Sequence, residues 1–244
     1  MDTRFWGPDG WKLLHSITAN YPNKPTKNEK DNYYLFFNSL QYVLPCIYCR
    51  RSLTQYMNEI PIKNYLDNKY NLVKWLYLIH NKVNNKLRMQ NLNTEKDPLF
   101  HKVEKKYQNY LIEINNNNCI NMPGWDFIYT IIFNFPLNYS ELTLKRYFNY
   151  IIFFKYLGKI LPFITVKDEY LKLLNDTNLY NVTQTRTKFI KWFYSFEKKI
   201  KKIIDCKCIE YDDRCNLIEK QRAGCGKGND LKPTCRVNNN LSII

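Results

Sequence analysis

The stretch Asn71–Leu87, "NLVKWLYLIHNKVNNKL", sets Leu72, Leu76, Ile79, Val83 and Leu87 at spacings of four, three, four and four. That is one apolar stripe along a helix, and a stripe needs other helices to cover it. Upstream, "YYLFFNSLQYVL" repeats the pattern with Phe36, Leu40 and Val43, or Phe37, Leu40 and Leu44. Downstream, Asp97-Pro98 reads as an N-cap followed by a first-turn proline, and Leu99, Val103, Tyr107, Leu111 and Ile114 carry the stripe onward. The run Asn115–Asn118 then ends it as a polar linker that buries nothing. No run alternates as a strand does, so the expected class is all-α, a helical bundle.

At 244 residues and 45% hydrophobic content the chain can bury one large core or two small ones. The net charge of +15 comes with heavy use of Asn, Lys, Ile and Tyr, as a translated AT-rich genome gives, and the lysines are spread along the chain. With no stacking or groove-reading motif, this points away from nucleic acid as a partner. The opening "MDTRFWGPDGW" lacks a leader pattern. The apolar "YIIFFKYLGKILPFI" is broken by Lys155, Lys159 and Pro162 short of the ~18 residues of a membrane span. The expectation is a cytoplasmic protein that neither enters a membrane nor is secreted. Eight cysteines in such a chain suggest metal or redox work.

Cys46 and Cys49 form a Cys-x-x-Cys directly after Pro45. A zinc site needs four ligands, and no second pair at finger spacing accompanies these two, so no metal ligands are expected there. A thioredoxin-type dithiol wants a preceding strand, where this one has a helical pattern. The third use of the spacing is a disulfide that feeds electrons to another redox group. Trp11 and His15 share one helix face, and His80 and Asn84 share another, so two helices offer aromatic and imidazole groups toward one place.

Together "WGPDGWKLLHSITANYP", "LPCIYC" and "WLYLIHNKVNNKL" resemble, in order and spacing, the three signature blocks of the FAD-linked sulfhydryl oxidases of the Erv/ALR family, most like members encoded by large DNA viruses. The resemblance covers about the first ninety residues. It implies a four-helix bundle holding FAD noncovalently and a thiol oxidase that makes disulfides in protein dithiols, with O2 as acceptor and H2O2 as product, in a host cytoplasm or virion. It assigns Trp11, His15, His80, Asn81, Val83, Asn84 and Lys86 to the flavin and adenosine pocket, with Trp6 and Gly7 at its edge. Cys49 would lie against the flavin and Cys46 would face substrate. The basic residue expected three after Lys86 is Met89, for which Arg88 is a substitute, and the cysteine staple many members carry near the third block is absent, Leu72 standing in its place. Packing by the Asp97–Ile114 helix is expected to hold the pocket end instead. The competing class is a catalytically silent, zinc-holding basic scaffold that contacts nucleic acid.

An internal echo suggests a second domain. "GWKLLHSITANYP" (Gly10–Pro22) aligns with "GWDFIYTIIFNFP" (Gly124–Pro136), and at an offset of 117 Pro45 falls on Pro162 and Trp75 on Trp192. In the later segment Tyr129 replaces His15, Glu197 replaces His80, and Phe163 and Val166 replace the two cysteines. The expected organisation is therefore an oxidase-type domain over 1–92, an amphipathic helix and linker over 93–118, a degenerate flavin-free copy over 119–205 and a Cys-rich tail over 206–244. Family bundles commonly dimerise, so the chain is expected to form either a homodimer or an intramolecular pseudo-dimer. Cys206-Lys207-Cys208 is the candidate electron shuttle, since so short a spacing makes a strained, exchangeable disulfide. Structural bridges and a zinc cluster remain open for the tail, and the six cysteines outside the active pair allow 15 connectivities.

Overall fold

A computed structural model describes residues 3–92, 94–116 and 122–223. Every regular element among them is helical. The first half contains α1 (Thr3–Ala19), α2 (Lys27–Val43), α3 (Ile47–Glu59), a 3₁₀ turn at Ile62–Tyr65, α4 (Lys69–Met89) and α5 (Phe100–Asn116).

Local chemistry sets the helix starts. Thr26 and Glu29 form a reciprocal capping box at α2, and the Asn68 side chain accepts from the Asn71 N–H at α4. The α4 stripe faces inward as expected, with Leu72, Leu76 and Ile79 buried, while Val83 and Leu87 near its last turns are half-buried. Trp75 Nε1 donates to Ile60 O at 2.9 Å and Tyr21 Oη to Leu66 O at 2.9 Å, tying the connector between α3 and α4 to the core. Helix α5 begins at Phe100, so Pro98 is outside it, and Asp97, the expected N-cap, instead accepts from Asn84 and Arg88. Leu99 is consequently exposed, whereas Val103, Leu111 and Ile114 are buried against α1 and α4.

The second half contains α6 (Trp125–Phe133), a 3₁₀ turn at Tyr139–Glu141, α7 (Leu144–Ile160), α8 (Ile164–Asn175), α9 (Leu179–Val182), α10 (Arg186–Ile203) and α11 (Tyr211–Ala223). Several element starts keep one offset: 27 and 144 for α2 and α7, 47 and 164 for α3 and α8, 69 and 186 for α4 and α10. Threonine caps recur at the same offset, Thr26 and Thr143. So does the indole bond, Trp192 Nε1 donating to Thr177 Oγ1 at 3.2 Å.

The two halves pack α1 against α6 and α2 along α7. Gly10 and Gly124 permit the first crossing. A Cβ on Gly10 would stand 2.9 Å from the Phe127 ring, and one on Gly124 would stand 2.5 Å from Leu13, at a backbone φ of 101° that already favours glycine. Asp9 of α1 accepts from the N–H groups of Gly124, Asp126 and Phe127, and so caps α6 from the other half. On the α2·α7 seam Phe36 stacks on Phe153 with ring centroids 5.1 Å apart.

Part of the Cys-rich tail is built into the fold. Residues 211–223 form α11, which packs on α6 with Ile218 fully buried and Arg214 almost so. The reason is a buried carboxylate. Glu197 has no exposed surface, accepts from Tyr129 Oη at 2.8 Å and pairs with Arg214, whose other nitrogen bonds Asp126 at 2.9 Å. A charge that deep needs a partner, and α11 brings it. Among the described residues no helix is long and apolar enough to cross a membrane.

Candidate redox and cofactor site

Cys46 is the N-cap of α3, and Cys49 lies one turn along it. The Cys46 side chain makes no cap bond, and the positive end of the helix favours negative charge on sulfur there. Cys46 is 6% exposed and Cys49 is half-buried. Between them Ile47 and Tyr48 are exposed. An open groove of about 800 Å³ runs beside α3, lined by Gln41, Ile47, Arg50, Arg51 and Thr54 among others.

On the other side, α1, α4 and α5 enclose a cavity of about 210 Å³ lined by His15, His80, Asn81, Asn84, Lys106 and Tyr107 among others. His15 Nε2 and His80 Nδ1 share a hydrogen bond at 3.0 Å. Trp11 stacks on His80 at 3.8 Å between centroids, and Tyr107 stacks on His15 at 4.6 Å, each pair within 9° of parallel. His15 Nδ1 is buried with no hydrogen-bond partner, an unmet polar group at the centre of an aromatic cluster.

The remaining expected pocket residues divide. Val83 packs half-buried against the core, Lys86 Nζ donates to Ser52 Oγ on α3 at 2.8 Å, and Asn84 donates to Asp97 at 2.8 Å. Arg88, the substitute for the missing basic residue, is committed to Asp97 through two nitrogens. Trp6 is buried against Phe127 at 5.7 Å between centroids, and Gly7 has open space where a Cβ would stand; neither lines the cavity.

Sequence reasoning did not single out Tyr77, Lys102 and Lys106, which also line the cavity. It placed Tyr107 only in an apolar stripe. Their signal is present in hindsight, since Lys102 and Lys106 are four apart on the helix that carries Tyr107.

Cys206 and Cys208 lie half-buried on the connector between α10 and α11. Burial, then the neighbouring Glu197 carboxylate, pushes the Cys208 thiol above its ordinary value. That works against an attacking thiolate there. Cys119, Cys225 and Cys235 fall outside the described residues, and with them the question of tail pairing.

Burial holds the His15 imidazole well below its usual value, helped by His80 and Lys106. Burial likewise brings His80 down to about 4, with Asp97 opposing and Lys106 adding to the effect. Both rings are therefore neutral in the folded protein at pH 7, whereas the unfolded chain protonates them below about 6.5. The stability they confer is present above pH 6.5 and is lost as the pH falls toward 4. His80 alone is expected to lower stability by roughly 2–3 kcal/mol between pH 7 and pH 4.5. Denaturant titrations of wild type and His80→Asn at the two pH values measure it; equal losses in both proteins would contradict the assignment.

Comparison with known proteins bears on the same segment. The sequence model of the Erv1 / Alr family matches residues 8–108, which hold both the dithiol and the histidine cavity. A probable FAD-linked sulfhydryl oxidase of Acanthamoeba polyphaga mimivirus is 44% identical over 85 residues, 34% of this chain and 59% of that protein. The mitochondrial FAD-linked sulfhydryl oxidase of Saccharomyces cerevisiae is 34% identical over 36% of this chain and 45% of that protein, so the chain spans about half the length of such relatives. The crystal structure of the FAD-binding domain of yeast Erv1 aligns with 45% of this chain and 96% of its own at 30% identity and a TM-score of 0.40. The FAD-linked sulfhydryl oxidase of African swine fever virus is 30% identical over 88 residues, 34% of this chain and 67% of the viral protein. With two thirds of that relative covered and the family's own pattern matched across α1 to α5, the chain belongs to the Erv1/Alr family.

Proposed function

We propose that this protein is a flavin-dependent thiol oxidase that forms disulfides in protein dithiols. The observation that carries the reading is Cys46-x-x-Cys49 opening α3 within the family-matched segment. FAD, when bound, supplies the acceptor for the electron pair that the reduced dithiol holds and passes that pair to O2 as H2O2.

The cavity residues fit such a dinucleotide. His15, His80 and Tyr107 line it with planar rings, with Trp11 stacked behind His80; His15 Nδ1 supplies an unmet hydrogen-bonding atom, and Lys102 and Lys106 supply cations for a diphosphate. The volume is below the ~300–1,000 Å³ of pockets that enclose drug-sized ligands, so this cavity takes a portion of the dinucleotide. On the groove side Arg50 and Arg51 favour acidic residues flanking a substrate dithiol, and Ile47 and Tyr48 offer it apolar contact.

With dithiothreitol the purified protein should consume oxygen and release peroxide in equal amounts. A protein that carries zinc and consumes no oxygen would instead favour the scaffold alternative.

We also infer that the second half is a degenerate copy of the first and occupies the place of a second subunit. Three features support this. Element starts recur at a constant offset. The Gly10–Phe127 and Gly124–Leu13 contacts are reciprocal, each pairing one glycine with the residue three after the other. Phe36 stacks on its own equivalent Phe153, as side chains beside a two-fold axis do. In the copy, Tyr129 bonds Glu197 where His15 bonds His80, and Arg214 closes the space from above. The α1·α2 face that would serve a homodimer is thus already covered. Light scattering on the eluting protein should give a monomer mass near 29.6 kDa; a stable dimer would overturn the assignment.

A further inference from the structure

The C-terminus of α2 leads directly into Leu44-Pro45-Cys46, so whatever fixes its last carbonyls fixes the first sulfur of the dithiol. Those carbonyls have no partners within the helix. Two arginines, one from each half of the chain, donate to them. Arg50, on the active-site helix, donates through Nη1 to Leu44 O. Arg146, on α7 of the other half, donates through Nε to Tyr42 O at 3.2 Å, while its neighbour Lys145 lies over the Tyr42 ring at 5.1 Å.

The Arg50 guanidinium senses both Arg146 and the two sulfurs. Burial, then Arg146, holds Arg50 below its ordinary value, and negative charge on Cys46 and Cys49 pushes it back. Tyr150, fully buried on α7, faces both cations; they oppose the upward push that burial gives its phenol. Tyr56 on α3 also senses Cys49. Glu59, further along α3 and on the same groove, also acts on Tyr56 and is paired with Lys82 at 2.7 Å.

We propose that Arg146 is a positioning residue for the Cys46–Cys49 couple, contributed by the second half of the chain. It holds the turn that presents Cys46, and with Arg50 it makes the surroundings favour the reduced, negatively charged pair over the neutral disulfide. The inference rests on the thiol-oxidase reading above. In that reaction one substrate thiolate attacks the Cys46 sulfur, the Cys46–Cys49 bond breaks and Cys49 leaves as thiolate. A second substrate thiolate attacks the mixed disulfide, the substrate disulfide forms and Cys46 leaves as thiolate. Two electrons pass to the couple, and the two thiol protons go to solvent. Cations beside the leaving sulfurs make the disulfide the stronger oxidant. The degenerate half thereby has a chemical role in addition to covering an apolar face.

The test is the equilibrium between dithiol and disulfide at Cys46–Cys49. Full-length wild type, Arg146→Gln, Arg146→Met and Arg146→Lys are equilibrated without oxygen in buffers of reduced and oxidised dithiothreitol, then alkylated. The redox state of the Cys46–Cys49 peptide is read by mass. Removing the charge should shift the equilibrium toward the disulfide by roughly 3- to 10-fold, about 15–30 mV for a two-electron couple. Arg146→Lys should stay within about twofold of wild type, because it retains the cation. Arg146→Met keeps the apolar stem in place should the glutamine variant fold poorly. Gln and Met variants that overlay wild type would overturn the proposal and leave the thiol-oxidase reading standing. A wild-type protein with no measurable Cys46–Cys49 couple would remove both.

Discussion

Replacing Cys49 with serine is expected to lower dithiol-driven oxygen consumption by about 10³-fold or more, the scale seen when a covalent participant is removed from a reacting unit. Electron transfer from a substrate dithiol requires a disulfide at the N-terminus of α3, and one sulfur cannot form it. The same variant should keep its fold and its flavin, because Cys49 is half-buried on α3 and the histidine cavity lies between α1, α4 and α5. Cys46→Ser should be equally silent. A Cys49→Ser protein that turns over within tenfold of wild type would place the redox disulfide elsewhere, with Cys206 and Cys208 the next pair to test.

The second large effect is on stability and arises far from the dithiol. Arg214→Ala leaves Glu197 buried without its cation, and breaking one partner from a buried pair costs about 3–5 kcal/mol. For a chain of this length that corresponds to a melting point lower by roughly 6–20 °C. The carboxylate stays bonded to Tyr129 Oη, whose phenol is already pushed far up by burial and by Glu197, so the tyrosine cannot take over the charge. The double variant Arg214→Met with Glu197→Leu should recover much of the loss, since an apolar pair often replaces a buried ion pair at little cost. A melting point unchanged in Arg214→Ala would mean that Glu197 is not held as an ion in the fold.

The helical class and the meeting of His15 with His80 were legible because their signals are local. The α4 stripe needs seventeen consecutive residues, the dithiol four, and the paired faces of Trp11 with His15 and His80 with Asn84 one helical turn each. Tyr129 and Glu197 were legible as replacements for two histidines, and they bond each other as the histidines do. What the sequence did not disclose depends on partners distant along the chain. Arg146 lies 104 residues from the carbonyl it holds, and Arg214 lies 88 residues from Asp126. Nothing periodic announces either one. The stretch "YDDRCNLIEK" reads as a solvated charged segment until the buried Glu197 carboxylate gives its arginine a reason to be inside. Leu99 erred in the opposite direction, since periodicity extends a stripe past the point where the helix has begun to bury it.

The central claim is that Cys46–Cys49 exchanges electrons with a flavin held by this chain. The visible spectrum of the purified protein, followed without oxygen as dithiothreitol is added and then as air is admitted, tests it most directly. The account predicts a yellow protein whose flavin band bleaches with the dithiol, returns with oxygen, and does not bleach at the same rate in Cys49→Ser. A folded protein that is colourless and takes up no FAD, or one whose flavin bleaches equally fast without Cys49, would contradict it.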